Sequence, residues 1–307
     1  MSKKVNVSIP PDNYSDKKIV VVGGNNGLGF EAVLEIAKQG ANVIVISRNL
    51  EKGLVAIEKA KKLSGNNNIS LIICDISSLK SIRLATKEII SIHGNIDVIL
   101  CNAAIPEWRV ESMGRTEEGL NKIFATNYLG HYLTVRLLLN SLQASKDPRV
   151  IFICGPQQFY KTAPNLLDLE FKNIGAEKSA YSGAKIAIFC MAAELSRRFP
   201  LIATAVIDPG LVATEFQNDS PLLLRIFLKL GLFRNEPEDV GKLYTWLALS
   251  PSIREEQKRN GRYTKFYNPK AERYFKNDLN NLKFGKEILG LDYQDKLWEA
   301  SEKCVGL

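Results

Sequence analysis

Short runs of β-branched and other apolar residues alternate with segments of helical length along the first two thirds of the chain. The runs lie at 18–24, 42–47, 69–74, 96–101, 149–154 and 201–208, and candidate helices lie near 27–39, 50–63, 78–93, 116–145 and 178–199. Continuous apolar strands are typical of a parallel sheet whose two faces are both covered. The alternation therefore predicts an α/β protein, with a doubly wound parallel sheet in a three-layer α/β/α sandwich.

The last third of the chain has a different pattern. A strongly apolar segment at 220–233 precedes a helix that is expected from Pro237, a further strand is expected at 261–267, and a terminal helix is packed by Leu297 and Trp298. No internal repeat or extended linker interrupts the chain. We therefore predict a polar N-terminal arm at 1–17 and a single domain at 18–307, which includes a C-terminal extension at about 268–307.

The composition favours a soluble protein. Hydrophobic residues make up 45% of the chain and charged residues 24%, as in ordinary globular proteins. No apolar run reaches the roughly 18 residues that a membrane span needs, and the polar N-terminal arm lacks the apolar core of a signal peptide. These features predict a cytoplasmic protein.

The cysteines, histidines and net charge make other classes of site improbable. The five cysteines are scattered, which predicts free thiols in a reducing compartment, and two histidines without a Cys/His cluster predict no metal site. The net charge of +8 is spread along the chain. This favours a solvated surface over a nucleic-acid partner.

A glycine-rich turn joins the first strand to the first helix. Its glycines have the spacing G-x-x-x-G-x-G, which permits a tight turn and lets backbone N–H groups approach a pyrophosphate at a helix N-terminus. In this position the turn predicts a dinucleotide site. The predicted cofactor-binding residues are Gly23, Asn25, Asn26, Gly27, Leu28 and Gly29.

The end of the second strand indicates which dinucleotide binds. Ser47 and Arg48 stand there, and the first carboxylate nearby is Glu51. An acidic residue at this place binds the ribose hydroxyls of NAD, whereas an arginine accommodates the 2′-phosphate of NADP. We therefore predict NADP(H), with an ordinary helix-start arginine as the alternative.

Two further strands end at the same edge of the predicted sheet, where ligands of such sheets bind. Asp75 and Ile76 follow the third strand and are placed to meet an adenine. The fourth strand ends in small residues that let the backbone run close to a cofactor. These are Asn102, Ala103 and Ala104.

Tyr181 and Lys185 share one face of an otherwise apolar helix, because four residues make about one helical turn. A neighbouring ammonium favours the phenolate, so the sequence predicts that Lys185 lowers the pKa of Tyr181. The alternative is an unrelated surface pair on an amphipathic helix.

These motifs together resemble the short-chain dehydrogenases/reductases. The glycine turn, Asp75, the segment C-N-A-A, the segment A-T-N-Y-L-G-H-Y, the Y-x-x-x-K pair and the segment D-P-G-L-V-A-T at 208–214 have the order and spacing of that family. The resemblance covers nearly the whole chain and implies a Rossmann-type fold. Within the family, the chain is most similar to the branch of retinol dehydrogenase-like enzymes and light-dependent protochlorophyllide reductases.

The resemblance implies a function and a role for several residues. It implies an NADP(H)-dependent oxidoreductase that transfers hydride between nicotinamide and a hydrophobic carbonyl or alcohol. Tyr181 matches the catalytic tyrosine, Lys185 the lysine that lowers its pKa and holds the nicotinamide ribose, and Asn127 the asparagine of a water-mediated proton relay. Further cofactor-binding positions are Pro209, Gly210, Val212 and Thr214.

Three residues depart from the family pattern. Gly155 stands where the family has its active-site serine, Val22 replaces the threonine before the first glycine, and Leu211 replaces the cysteine of the protochlorophyllide enzymes. Two alternatives therefore stay open, a cofactor-binding protein without turnover and a protochlorophyllide reductase-type C=C reductase, which Leu211 opposes. Candidates to replace the serine are Gln157, Gln158, Tyr160 and Thr162.

The segment at about 215–235 lies where the family has its substrate lid. Arg225 and Lys229 share one face of its otherwise apolar helix. A lid predicts a hydrophobic small-molecule substrate, while core packing and peripheral membrane contact are alternatives. A homo-oligomer also stays open.

Overall fold

The computed structural model describes residues 9–10, 12–109, 112–155, 167, 169, 177–212, 234–260, 264–267, 275–276 and 290–307. The strands are β1 (Lys18–Val22), β2 (Asn42–Ser47), β3 (Ile69–Ile73), β4 (Val98–Cys101), β5 (Arg149–Ile153), β6 (Ala203–Ile207), β7 (Leu211–Val212), β8 (Arg234–Asn235), β9 (Thr264–Tyr267) and β10 (Phe275–Lys276). The helices are α1 (Gly27–Lys38), α2 (Leu50–Ser64), α3 (Leu79–His93), α4 (Lys122–Phe124), α5 (Gly130–Leu137), α6 (Leu139–Gln143), α7 (Glu177–Arg198), α8 (Pro237–Leu249), α9 (Pro251–Asn260) and α10 (Leu291–Val305). A short π-helix (Ala125–Leu129) joins α4 to α5.

One eight-stranded sheet has the strand order β10-β9-β6-β5-β4-β1-β2-β3. Every neighbouring pair from β9 to β3 is parallel, and β10 pairs antiparallel with β9. The seven predicted strands and the doubly wound sheet are confirmed. Since the order reverses between β1 and β4, a crevice opens there at the carboxyl ends of the strands.

Alternate side chains of the strands enter two separate cores. Val20 and Ile44 belong to the core under α3, α5, α7 and α10, whereas Val21 and Val45 belong to the core under α1, α2 and α8. A sheet that is buried on both faces requires apolar residues at every strand position. The continuous apolar runs of the sequence are the result.

The helix predicted at 116–145 begins later than expected. Gly119 has a positive φ of 80°, and Asn121 accepts hydrogen bonds from the N–H groups of Ile123 and Phe124, so that it caps a helix that begins at Lys122. A side-chain oxygen at the N-cap satisfies N–H groups that the first turn leaves unpaired. The predicted boundary at 116 is therefore wrong.

Helix α10 packs against the helices that carry the predicted catalytic residues. The Tyr128 hydroxyl lies 2.9 Å from Ser301 Oγ, and the Tyr132 hydroxyl donates to the Trp298 carbonyl. The Trp298 ring is flanked by the guanidinium groups of Arg136 and Arg198, which lie 5.0 Å and 5.2 Å from its centroid. This part of the predicted C-terminal extension thus belongs to the core.

Two predicted segments, the polar arm at 1–17 and the lid at about 215–235, are described only in part. Tyr14, in the predicted polar arm, is buried, and its hydroxyl donates to the Pro10 carbonyl. The lid is described only at 234–235, and the rest of it, with Thr214, lies outside the described residues. None of the helices that the structure describes is long and apolar enough to cross a bilayer.

Candidate active site

A cleft of about 710 Å³ lies along the carboxyl ends of the parallel strands. It is lined by most of the residues predicted from sequence, namely Gly23, Asn25, Asn26, Gly27, Leu28, Ser47, Arg48, Asp75, Ile76, Asn102, Ala103, Ala104, Tyr181, Lys185, Pro209, Gly210 and Val212. The structure thus brings the dinucleotide turn and the Tyr-Lys pair into one cavity.

The glycine turn is closed by close backbone approaches. Gly23 has a φ of 77°, and a Cβ atom on it would lie 2.8 Å from the Ala103 Cβ. A Cβ atom on Gly29 would lie 2.1 Å from the Gly23 carbonyl oxygen. Gly29 therefore packs α1 against the turn beneath the cleft instead of lining it.

Two cations stand at the end of β2. Arg48 and Lys52 are exposed side chains that line the cleft. Asn49 caps α2 by accepting a hydrogen bond from the Lys52 N–H at 2.8 Å. Lys52 was not predicted as a site residue, although its place in the first turn of the helix that follows β2 was an available signal.

The side chain of Asp75 is engaged by its own loop. Its Oδ1 accepts hydrogen bonds from Ser77 N at 2.9 Å and from Ser77 Oγ at 2.7 Å. Behind the next residue, Gly130 packs so closely that a Cβ atom on it would lie 2.0 Å from the Ile76 carbonyl oxygen. These contacts fix the segment that follows the carboxyl end of β3 at the wall of the cleft.

The end of β4 is tied to the glycine turn. Asn102 Nδ2 donates to the Gly23 carbonyl at 3.0 Å, and Asn102 Oδ1 accepts from the Tyr244 hydroxyl at 3.3 Å. The Ala103 N–H donates to the Val22 carbonyl at 2.9 Å. Asn102 therefore links the turn, β4 and α8.

Tyr181 and Lys185 lie together at one end of the cleft, as the helical spacing predicts. Lys185 is buried, and its Nζ lies 5.7 Å from the centroid of the Tyr181 ring and 3.4 Å from the Ile153 carbonyl oxygen. Tyr181 is partly exposed to the cleft. The phenol of Tyr181 and the amine of Lys185 thus line the same wall of the cleft.

The predicted lowering of the Tyr181 pKa is wrong for these surroundings. Burial raises the pKa of Tyr181, and the nearby Glu107, Cys154 and Asp208 raise it further. Burial also lowers the pKa of Lys185, because an ammonium loses hydration there. Desolvation is the largest cause of both shifts.

Asn127 is fully buried in the short π-helix, behind the cleft. Its Oδ1 accepts from the Ile105 N–H at 2.8 Å, and its Nδ2 donates to the Ile105 carbonyl at 2.9 Å. Short π-helical segments within α-helices often occur at functional sites. The side-chain amide of Asn127 thus holds the segment after β4, and its predicted part in a proton relay stays a prediction.

The end of β5 has no hydroxyl at the position of the family serine. Gly155 lines the cleft beside Cys154, and the four candidate replacements lie outside the described residues. Glu107, Trp108 and Arg109 also line the cleft and were not predicted. Their position after the carboxyl end of β4 was the available signal.

The segment after β6 closes the cleft. Gly210 has a φ of 68°, and its N–H donates to Asp208 Oδ1 at 2.8 Å. Val212 is buried, and Pro209 lines the cleft next to it. This turn gives the D-P-G segment a fixed conformation.

Residues 17–222 match the family profile of the short chain dehydrogenases. The chain belongs to this family. The profile covers every strand from β1 to β7, together with the Tyr-Lys pair.

Curated relatives support the retinol dehydrogenase-like branch of the family. Over 306 residues the chain is 29% identical to retinol dehydrogenase 13 of Mus musculus, across 95% of this chain and 84% of that protein. It is 26% identical to human polyprenol dehydrogenase, across 78% of this chain and 74% of that protein.

Solved structures share the fold. The alcohol dehydrogenase from the archaeon Thermococcus sibiricus, complexed with 5-hydroxy-NADP, has a TM-score of 0.61 and 17% identity, over 82% of this chain and 95% of that one. A metagenomic short-chain oxidoreductase in complex with NADP has a TM-score of 0.58 and 21% identity, over 84% of this chain and 99% of that one.

Proposed function

We propose that the protein is an NADP(H)-dependent oxidoreductase that acts on a hydrophobic carbonyl or alcohol, with Tyr181 as the proton donor or acceptor. The observation that carries the proposal is that the glycine turn, Arg48 and the Tyr-Lys pair line one cleft. Two of the structural neighbours are described with NADP or 5-hydroxy-NADP.

The residues of the cleft fit a dinucleotide. Gly23 and Gly29 leave no room for side chains beside the turn, so a pyrophosphate can approach the backbone at the start of α1. Arg48 and Lys52 supply two cations for a 2′-phosphate, and Asn102 ties the turn to the end of β4. When bound there, the nicotinamide supplies or accepts the hydride.

In the reducing direction, Tyr181 Oη donates its proton to the substrate oxygen as the hydride reaches the neighbouring carbon. The raised pKa of Tyr181 keeps the phenol protonated and thus ready to donate. Lys185 donates a hydrogen bond from its buried Nζ to the Ile153 carbonyl and thereby links α7 to the end of β5. In the oxidising direction, Tyr181 has to act as the phenolate, which takes the proton from the alcohol, and the raised pKa of Tyr181 disfavours this form.

The test compares Tyr181→Phe with Tyr128→Phe, which removes a buried hydroxyl outside the cleft. Each variant and the wild type are assayed with a panel of lipophilic ketones and alcohols, and NADPH affinity is measured by fluorescence titration. General acid–base catalysis contributes typically about 10²- to 10⁴-fold. We expect Tyr181→Phe to lose at least about 100-fold in kcat with NADPH affinity nearly unchanged. Equal kcat values for both variants and wild type would refute the assignment.

Cofactor choice is tested at Arg48. We expect the wild type to bind NADPH more tightly than NADH and Arg48→Ala to lose about tenfold or more of that preference, since a hydrogen bond between charged groups contributes about 1.5–3 kcal/mol. Lys62→Ala is the control, because Lys62 is an exposed cation on α2, the helix that follows Arg48, and lies outside the cleft. A wild type that prefers NADH contradicts the proposal.

A second candidate function is cofactor binding without turnover, which Gly155 favours. A protein that binds NADPH and reduces no member of the panel, even as Gly155→Ser, would support it. The third candidate, C=C reduction of a chlorin precursor, is opposed by Leu211.

The proposal has three further parts. These are a hydrophobic substrate, a cytoplasmic location with or without peripheral membrane contact, and a homo-oligomeric state. The names of the retinol and polyprenol dehydrogenases support the first. Cell fractionation and size-exclusion chromatography with light scattering test the other two.

A further inference from the structure

His131 is a buried polar residue that the proposed reaction does not use. It lies on α5, one helical turn after Asn127, and is almost completely inaccessible to solvent. Its Nε2 lies 2.7 Å from the Ala103 carbonyl oxygen. The two side chains therefore hold the segment after β4 at two points, Asn127 at Ile105 and His131 at Ala103.

The contacts of His131 define its tautomer. A carbonyl oxygen only accepts hydrogen bonds, so Nε2 carries the proton and donates it. Among the residues that the structure describes, Nδ1 has no hydrogen-bond partner and is buried. Burial and the nearby Lys185 lower the pKa of His131 to about 4, so the ring is neutral at physiological pH.

Ala103, the residue that His131 holds, is the junction between the catalytic helices and the glycine turn. Its N–H donates to Val22, and its Cβ lies where a side chain on Gly23 would have to be. Ala103 also lines the cleft. A shift of its carbonyl therefore moves both the cleft floor and the turn that faces the dinucleotide.

We propose that His131 is a positioning residue for the cofactor: its Nε2–H fixes the Ala103 carbonyl and thereby sets the spacing between the end of β4 and the glycine turn. The inference rests on the proposed cofactor site. A purely structural residue at this place would be apolar, because burying a nitrogen without a partner carries a free-energy cost that leucine or phenylalanine avoids.

The test uses variants that separate the donor from the ring. In His131→Gln the side-chain amide can reach the place of Nε2 and keeps a donor for Ala103, whereas His131→Phe keeps a ring and has no donor. His131→Met is a second variant without a donor, in case the phenylalanine variant does not fold. Thr134→Val is the matched control, because Thr134 is buried on the same helix and its hydroxyl donates to the helix carbonyl of Gly130.

The dissociation constants of NADPH and NADH are measured by fluorescence titration on the full chain, with the melting temperature of each variant. A hydrogen bond typically contributes about 1 kcal/mol, which corresponds to about fivefold in affinity. We expect His131→Phe and His131→Met to weaken binding of both nucleotides by about five- to tenfold, while His131→Gln and Thr134→Val stay within twofold of wild type. On an active substrate, KM should rise for the cofactor and not for the carbonyl compound.

Two results overturn the inference. One is an unchanged cofactor affinity in a folded variant without the donor, and the other is a loss in His131→Gln as large as in His131→Phe. Failure of the proposed function is distinguishable, because it would appear in the wild type itself, as absent nucleotide binding, a preference for NADH or absent turnover, and not as a difference among the His131 variants.

Discussion

The buried, neutral His131 makes the folded protein sensitive to acid. A histidine in an unfolded chain titrates near 6.5, whereas burial lowers the pKa of His131 to about 4 in the folded protein. Between these two pH values the imidazole of residue 131 is protonated in the unfolded chain and neutral in the folded protein. This contribution to stability is therefore complete above pH 6.5 and is lost as the pH falls toward 4.

The size of the effect follows from the two pKa values. Each pKa unit corresponds to about 1.4 kcal/mol, so the complete transition amounts to about 3 kcal/mol. Between pH 7 and pH 5, which lies above the folded pKa, the loss is about 2 kcal/mol. Typical domains have a stability of only about 5–15 kcal/mol, so a change of this size is readily measured.

The assay is urea unfolding at pH 7, 6 and 5 for wild type and His131→Gln, which does not titrate. Carboxylates and the second histidine, His93, change the stability of both proteins in common, so the difference between the two curves isolates His131. We expect wild type to lose about 2 kcal/mol more than the variant between pH 7 and pH 5. Parallel pH profiles would show that His131 titrates normally and would refute its burial as a neutral ring.

Other substitutions test the packing and the chemistry of the site. Gly29→Ala should weaken NADPH binding by about tenfold or more, since its Cβ would lie 2.1 Å from the Gly23 carbonyl oxygen and overpacking costs about 1–3 kcal/mol; an unchanged titration contradicts this. Gly155→Ser should raise kcat on simple ketones by about tenfold or more, because one oxyanion donor is worth about 10²- to 10³-fold; an unchanged rate would show that the missing hydroxyl is not limiting. Trp298→Ala should lower the free energy of unfolding by about 3–5 kcal/mol in urea titrations, and a loss below about 1 kcal/mol would contradict its place in the core.

Periodicity predicted the fold because burial on both faces leaves a direct mark on each strand. Val20 and Val21 point to opposite cores, and both must be apolar. The boundary of the helix at 116–145 was missed because the local capping by Asn121 ended an otherwise helical pattern. Caps depend on a single side chain, which composition over a window does not reveal.

The site was predicted as far as strand ends and motif spacing allow. Arg48 and Tyr181 lie where those rules place them, whereas Lys52 and Glu107 line the cleft from the segments that follow β2 and β4, a few residues beyond the strand ends that were considered. The pKa of Tyr181 could not be predicted, because it depends on burial, and burial follows from the whole fold.

The docking of α10 has a consequence for the order of folding. Its contacts join positions far apart in the chain, with a sequence separation of 166 for Tyr132 and Trp298 and of 173 for Tyr128 and Ser301. At a synthesis rate of about 5–20 residues per second, about 5–20 s pass between the completion of α7 and that of α10. During this interval the apolar faces of α5 and α7 that α10 will cover are open to solvent on the nascent chain. Helices α5 and α7 thus acquire their final packing only after α10 has been made, and chaperone dependence during synthesis should be concentrated in this window.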